Sequence, residues 1–513
     1  MGIQLVWWKR DLRVEDHAPL AAAAAAGPVL ALYVVEPSFW AQPEMDQAQA
    51  RFVGESLREL DRALRARGAR LVVRTGELPE VFERLQQELR GVGGIAKLWS
   101  HQECGGALSY ARDLRVKRWC REHGIPWEEQ VQDGVVRRLA TRDGWAALWQ
   151  RRMSQARAAT PREIRDVRAL VPRFAVGKLP SAEVLVPRAT TIDAAQPGGT
   201  RAAEALLTSF LAQRGVGYRA DMSSPLSAWE GCSRLSPHLA WGTLSLRTIY
   251  QATRERLDEL KGISRAERDP RWLPSLRSFE ARLRWHCHFL QKLEDEPALE
   301  HRNLHRLYDG LRSEDLDTDP RLLERFAAWR EGRTGYPMVD AVMRCLAKTG
   351  WVNFRMRAMV MSFASYHLWL HWRPTALFLA TRFVDFEPGI HYAQAQMQSG
   401  TTGMNTVRIY SPAKQVRDQD PDGAFVKRWV PELAGVPAEH LPNPERLSLD
   451  LQHASGCLIG SDYPAPIVDH DTAVREAKQR IFAVRRTSEA RAEAQRIVAK
   501  HGSRKGKPRR DAS

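Results

Sequence analysis

Two arginines, Arg355 and Arg357, stand between apolar neighbours in WVNFRMRAMVMSF, where Val352, Met356, Met359, Val360 and Phe363 recur at helical spacing. A guanidinium in such a position needs an anion. Asp385 and Glu387, just ahead of a Pro-Gly turn in FVDFEPGIHYAQAQMQ, are placed to supply one, either as a structural ion pair of a helical domain or as part of a ligand site. A second group lies in GYRADMSSPLSAWEGCSRLSPHLAWGTLS. There Ser236-Pro237 reads as an N-cap and N1 pair, preceded by Gly231, Ser233 and Arg234. Amides, hydroxyls and a cation at a helix start suit a pyrophosphate; without a ligand the same residues make a capped helix. In SFEARLRWHCHFLQKL, the residues Trp285, His286 and His288 are open to three roles: core, zinc ligands or redox groups. With no Cys or carboxylate at metal spacing they read as packing. Arg408, Lys414 and Arg417 suit DNA phosphates, and a solvated charged face explains each equally well.

These residues require helices to carry them. Pro337 opens a helical turn, and Met338, Val339, Val342, Met343 and Leu346 form one apolar stripe ending at the Gly350-Trp351 break. From Leu206 to about residue 390 the pattern stays helical, so a domain over 201–480 is expected to be all-α. The amino-terminal part differs. Ile3 to Trp8, Val29 to Val35, Leu71 to Val73 and Ile95 to Trp99 are short apolar runs separated by helical text such as ARFVGESLRELDRALRARG. Strand and helix alternating in this way predict an α/β doubly wound parallel sheet over 1–135. It has no GxGxxG, so a dinucleotide site there is unsupported. Residues 136–200 weaken into a Pro/Gly/Ala-rich connector, and 481–513 form a basic C-terminal helix and tail.

Composition narrows the partner. A chain of 513 residues with a formal charge of +16 favours a polyanion over an acidic protein surface or a neutral metabolite. The terminal KHGSRKGKPRR holds six of the cations, which leaves about +10 on the body. Six cysteines form no CxxC and no ligand-spaced cluster, as expected for reduced cytoplasmic thiols and no metal. The uncharged run Ala18 to Val35 is broken by Gly27-Pro28 and follows charged residues, so no membrane span is expected. No signal peptide is visible.

From RTGYP through GW, the arginine helix, the carboxylate turn and the closing RIYSP, DPDG and KRWVPEL, the chain resembles the FAD domain of the photolyase/cryptochrome family. The opening VWWKRDLRVEDHAPL resembles the family's amino-terminal signature, with His17 where an Asn is usual. The resemblance implies FAD as cofactor, held at its phosphates by Tyr218, Cys232, Ser233, Arg234, Leu235 and Ser236, with Cys232 in place of a Thr. It implies Glu280 and Arg284 near lesion and flavin, Asn353 and Arg357 beside the isoalloxazine, and Asp385 and Glu387 at the carboxylate turn. His391 stands where the family's residue faces flavin N5, and Trp372 matches the middle member of the electron-transfer chain. It also implies an antenna chromophore in the α/β domain, of a class that the sequence leaves open.

Several positions depart from the family pattern. Leu283 and Met397 stand where lesion-packing tryptophans are usual, and Ala395 replaces the flavin-proximal tryptophan. Phe354 and Ala358 occupy the places of the histidine pair expected for (6-4) photoproduct repair, and Cys345 with Cys457 cannot supply an iron-sulfur cluster. What the resemblance implies is blue-light-driven repair of cyclobutane pyrimidine dimers by electron transfer from reduced FAD, or else a cryptochrome-like photoreceptor. Glu280, Trp372 and His391 would serve the chemistry, and Leu283, Arg355, Met397, Arg408, Lys414 and Arg417 would meet UV-damaged DNA, single-stranded DNA included. The protein is expected to act as a cytoplasmic monomer.

Overall fold

A computed structural model of the chain describes residues 2–503. The basic run from Arg504 onward lies outside the described residues. Five strands, β1 (Ile3–Trp8), β2 (Val29–Val35), β3 (Leu71–Thr75), β4 (Ile95–His101) and β5 (Trp127–Gln130), form one sheet in the order β3-β2-β1-β4-β5. Every pairing is parallel, with Leu5 opposite Leu30 on one side and Leu98 on the other. Alternate residues of β1 go to opposite faces: Val6 and Trp8 join one buried cluster, Ile3, Leu5 and Trp7 another. Both faces are covered by helices, which is why the strand reads as an unbroken apolar run. The edge strand β5, WEEQ, gives no such run, and its polar sequence hides it.

The helical domain is built on the long helix Trp272–Asp295, which crosses the helix Pro388–Ser399 at close range. Gly389 permits this approach, since a Cβ there would lie 2.8 Å from Leu290 Cα. Pro337–Thr349 forms as its spacing requires, with Met338, Val339, Val342, Met343 and Leu346 all buried and Gly350 closing it at φ +69°. The next helix, Phe354–Ser362, runs on into a π-helical turn at Phe363–His367.

The expected connector is more structured than its composition suggests. It contains the helix Trp145–Ser154, whose Trp145, Trp149 and Met153 are buried with Ile249, Leu257 and Leu283 of the helical domain. Among the described residues, no helix is long and apolar enough to cross a membrane.

Candidate flavin site

The arginine helix and the carboxylate turn meet through one pair. Arg357 Nη1 and Nη2 donate to Asp385 Oδ1 and Oδ2 at 2.9 and 2.8 Å, while Nε donates to the Val352 carbonyl at 2.8 Å. This is the planar fork that guanidinium and carboxylate make best. Phe383 lies 4.1 Å from the guanidinium carbon. Asp385 is buried and Arg357 half-buried, so the pair turns its positive member toward the accessible side. Glu387 does not share in it. It lies 3.6 Å from Arg10, and burial, only partly opposed by that arginine, pushes its carboxyl up to about 7.

Asn353 is the N-cap residue of the arginine helix by backbone, but its side chain does not cap. Its Nδ2 donates to the Met222 and Ser223 carbonyls at 3.0 and 2.9 Å, and Arg355 Nη2 donates to Ser223 Oγ at 3.3 Å. The helix start is thereby clamped to the stretch preceding the phosphate-type loop. In that loop Arg234 takes φ +61°, a strained conformation for a long side chain. Its guanidinium is stacked between Trp229 at 4.3 Å and Trp351 at 3.8 Å and bonds Gln196 Oε1 at 3.2 Å. Burial lowers its pKa to about 10.

The expected capping serine is corrected by the structure. Ser236 is the first residue of a five-residue helix, Ser236–Ala240, and buried Leu235 takes the N-cap place without a side-chain bond. Pro237 therefore sits one position further in than its spacing suggested. Ser233 and Cys232 are half-buried, with burial pushing the Cys232 thiol up to about 12. Tyr218 is buried edge-on to Phe210 and Phe279.

The unsatisfied polar atoms of these residues suit a flavin dinucleotide. Among the described residues, Arg234 Nε, Asn353 Oδ1, Arg355 Nε, His286 Nδ1 and Gln394 Oε1 are buried without a hydrogen-bond partner. Each such atom costs about 1–3 kcal/mol unless a ligand or water satisfies it. Cationic donors on two segments and an acceptor on the same helix start fit an anionic ligand rich in ring heteroatoms, so the residues fit FAD. Arg234 would hold phosphate and Arg357 the negative side of the ring.

The other expected residues are placed less uniformly. Glu280 is 3.4 Å from Arg254, while Arg284 is exposed. Leu283 belongs to the buried stripe Leu276, Phe279, Leu283 and Cys287, so it faces the protein core and not a DNA surface. The helical spacing of those four residues sets that orientation. His391 donates Nε2–H to the Ala376 carbonyl at 2.8 Å, and burial lowers its pKa to about 4, so the ring is neutral and Nδ1 remains an acceptor. Trp372 is fully buried and donates Nε1–H to Asn303 Oδ1 at 2.8 Å. Met397 is half-buried, Ala395 buried and Phe354 exposed, with the Arg282 guanidinium 5.7 Å from the Phe354 ring. Arg408 and Arg417 are exposed, whereas Lys414 pairs with Asp418 at 3.0 Å.

Sequence reasoning missed Arg10. It crosses from the α/β domain to donate to the carbonyls of Ala240 at 2.9 Å and Phe386 at 2.7 Å, stacked on Trp241 at 4.6 Å. It also missed that His17 joins Asp11 and His101, the ligating atoms of the three lying within 4.8 Å of one another at the carboxyl ends of β1 and β4. His17 Nε2–H and His101 Nδ1–H both donate to Asp11 Oδ2, at 2.9 and 2.8 Å. His17 Nδ1 accepts from Leu20 N at 3.1 Å. A metal on His17 Nε2 would leave Nδ1–H pointing at another N–H, so the three side chains form a complete hydrogen-bonded lock in preference to a metal site. The His at position 17, in place of the usual Asn, was the available signal.

Comparison with known proteins agrees with this geometry. The family model described as "FAD binding domain of DNA photolyase" matches residues 279–483, and that described as "DNA photolyase" matches residues 4–144. The chain is 31% identical to cryptochrome DASH of Gloeobacter violaceus, over 91% of this chain and 93% of that protein. It is 30% identical to a deoxyribodipyrimidine photo-lyase of Agrobacterium fabrum, over 94% and 98%. The crystal structure of a bacterial class III photolyase from Agrobacterium tumefaciens superimposes with a TM-score of 0.80 at 27% identity, over 95% of this chain and 98% of that one. An α/β domain joined to a helical flavin-binding domain, the Arg357–Asp385 fork and these matches together make the chain a member of the photolyase/cryptochrome family.

Proposed function

We propose that the protein is a light-driven, FAD-dependent repair enzyme acting on cyclobutane pyrimidine dimers in DNA. The observation that carries this reading is the Arg357–Asp385 fork, with Asn353 Oδ1 and Arg355 Nε on the same helix start and the neighbouring Arg234 Nε all buried without partners. Reduced FAD, once excited, supplies the electron that splits the dimer. Arg357 favours a negative ring beside it, and Asp385 fixes the guanidinium plane. Arg234, held between two indoles, binds phosphate. Exposed Phe354 with Arg282 over its ring offers a stacking platform at the surface, and Arg355, Arg408 and Arg417 add cations for the backbone. The protein works on this reading as a cytoplasmic monomer, on single- as well as double-stranded DNA.

A second reading, a blue-light photoreceptor with little repair, is favoured by Leu283, which is turned into the core where an indole would stack on the lesion. Anaerobic illumination of reduced protein with dimer-containing single- and double-stranded DNA, followed by chromatography of the lesions, separates the two. Dimers that survive illumination would leave the photoreceptor reading.

The antenna implied by the resemblance fits less well. At the carboxyl ends of β1, β2 and β4, Lys9 lies 3.3 Å from Asp113, and Arg112 pairs with Glu36 at 3.0 Å and Glu103 at 2.6 Å. The charged groups of that crevice are already paired with one another, which argues against a second chromophore there. The absorption spectrum of the purified protein checks this, since any band beyond those of flavin would contradict it.

A further inference from the structure

Tyr392 sits one turn ahead of Ala395 on the helix Pro388–Ser399 and is wholly buried. Its hydroxyl donates a short hydrogen bond across the domain boundary to Glu44 Oε1, in the loop before the helix Gln47–Arg65. Glu44 is itself buried, and its Oε2 has no hydrogen-bond partner among the described residues. The Tyr392 ring stands edge-on to Trp372, with centroids 6.2 Å apart, and to Phe386 at 6.1 Å; His391 adjoins it at 5.3 Å.

A buried phenol gives up an electron readily only if its proton leaves at the same time, because burial raises the cost of any charge left on the ring. An acceptor already bonded to the hydroxyl removes that obstacle. The other oxidisable rings lack such help. Trp369 lies against two guanidiniums, Arg312 at 4.2 Å and Arg480 at 4.8 Å, which oppose a positive charge on its indole. Trp285 is exposed, and its ring neighbours are His288 and Phe289.

We infer that Tyr392 and Glu44 form a proton-coupled electron donor that serves the flavin in place of the indole missing at Ala395. The inference rests on the FAD reading above. The oxidant is light-excited oxidised flavin, which takes one electron from Tyr392. The phenolic O–H bond breaks, the proton passes to Glu44, and a neutral tyrosyl radical faces a neutral carboxylic acid. Trp372 then returns one electron to Tyr392 while Glu44 returns the proton, leaving the hole on Trp372. Asn303, which accepts from Trp372 Nε1, lines a groove of about 260 Å³ with Arg306, Ile497 and Lys500, and a thiol reductant entering there gives one electron to the indole, becoming a thiyl radical as its proton passes to solvent.

The test uses full-length, FAD-loaded, oxidised protein carrying ring-deuterated tyrosine, flashed with blue light and read by electron paramagnetic resonance in H2O and D2O. The wild type is expected to give a tyrosyl signal narrowed by the ring label, and its formation should slow in D2O. Tyr392→Phe should abolish that signal. Glu44→Gln, which cannot take the proton, should slow its formation about tenfold or more, equivalent to about 1.4 kcal/mol of barrier, and change the D2O effect. Failure to take up FAD, read from flavin absorbance, would overturn the cofactor reading. A loaded wild type with no tyrosyl signal, or with a signal unchanged in Tyr392→Phe, would overturn the donor assignment alone. So would a Glu44→Gln protein with wild-type rate and D2O dependence.

Discussion

Arg10 of the α/β domain donates to the carbonyl of Phe386, the residue next to Asp385, at 2.7 Å. The carboxylate that orients Arg357 is thus braced from the other domain. A guanidinium bonded to two main-chain carbonyls and stacked on Trp241 holds the turn from Asp385 to Glu387 more firmly than its Pro-Gly sequence alone would.

Arg357→Ala should lose FAD and lower stability, because Asp385 is left charged and buried without its partner, a change worth about 3–5 kcal/mol for pairs of this kind. Arg357→Lys should not restore binding, since an ammonium cannot fill both oxygens in one plane. Removing both partners together should recover much of the stability and none of the flavin. Denaturant unfolding and flavin absorbance on the three variants check this, and a stable, yellow Arg357→Ala protein would contradict it.

Acid should unfold the protein partly through the lock at the end of β1. Burial lowers the His101 pKa from 6.5 to about 3 and lowers that of His17. Burial alone would raise Asp11, but hydrogen bonds from both histidines overcome it and hold Asp11 well below its usual value. The unfolded chain takes up the histidine protons first, so this stability is present above about pH 6.5 and falls away from there toward pH 3. His101→Gln should flatten the slope of stability against pH across that window. An unchanged slope would remove His101 from the account.

DNA affinity should fall linearly with salt on logarithmic axes. Arg408→Ala and Arg417→Ala should each reduce the slope by about one, while Lys414→Ala should matter less because Asp418 already pairs with that side chain. Fluorescence anisotropy at several salt concentrations measures this. A slope insensitive to either arginine would place the DNA elsewhere.

Ala395→Trp should speed photoreduction if the ring nearest the flavin limits it, and Trp372→Phe should slow reduction by an external thiol in both backgrounds. Fast wild-type reduction that survives Trp372→Phe would exclude the buried indole from the route.

Much of this architecture was legible in advance, for identifiable reasons. Strands β1 to β4 are apolar because both faces of the sheet are covered, and Pro337 and Gly350 mark a helix by backbone chemistry that acts locally. The Arg357–Asp385 pair could be read because two motifs met in one resemblance. What stayed hidden depends on distance in the chain. Nothing near Glu387 signals that Arg10, hundreds of positions away, takes it from Arg357. The polar edge strand β5 offers no apolar run to count. Leu283 was assigned by its place in a motif, whereas the stripe Leu276, Phe279, Leu283 and Cys287 decides which way it points. Ser236 looked like a cap because Ser-Pro often is one, but the helix begins a residue earlier than that pairing suggests.

The Arg10 crossing has a further consequence. Cutting the chain at a composition boundary, near residue 200, would leave the backbone of Ala240 and Phe386 without the guanidinium that joins them, and Tyr392 without Glu44. The amino-terminal domain thus braces the candidate flavin site from outside the helical domain. Its removal is expected to loosen flavin binding by the remainder, as flavin absorbance of the truncated chain would show.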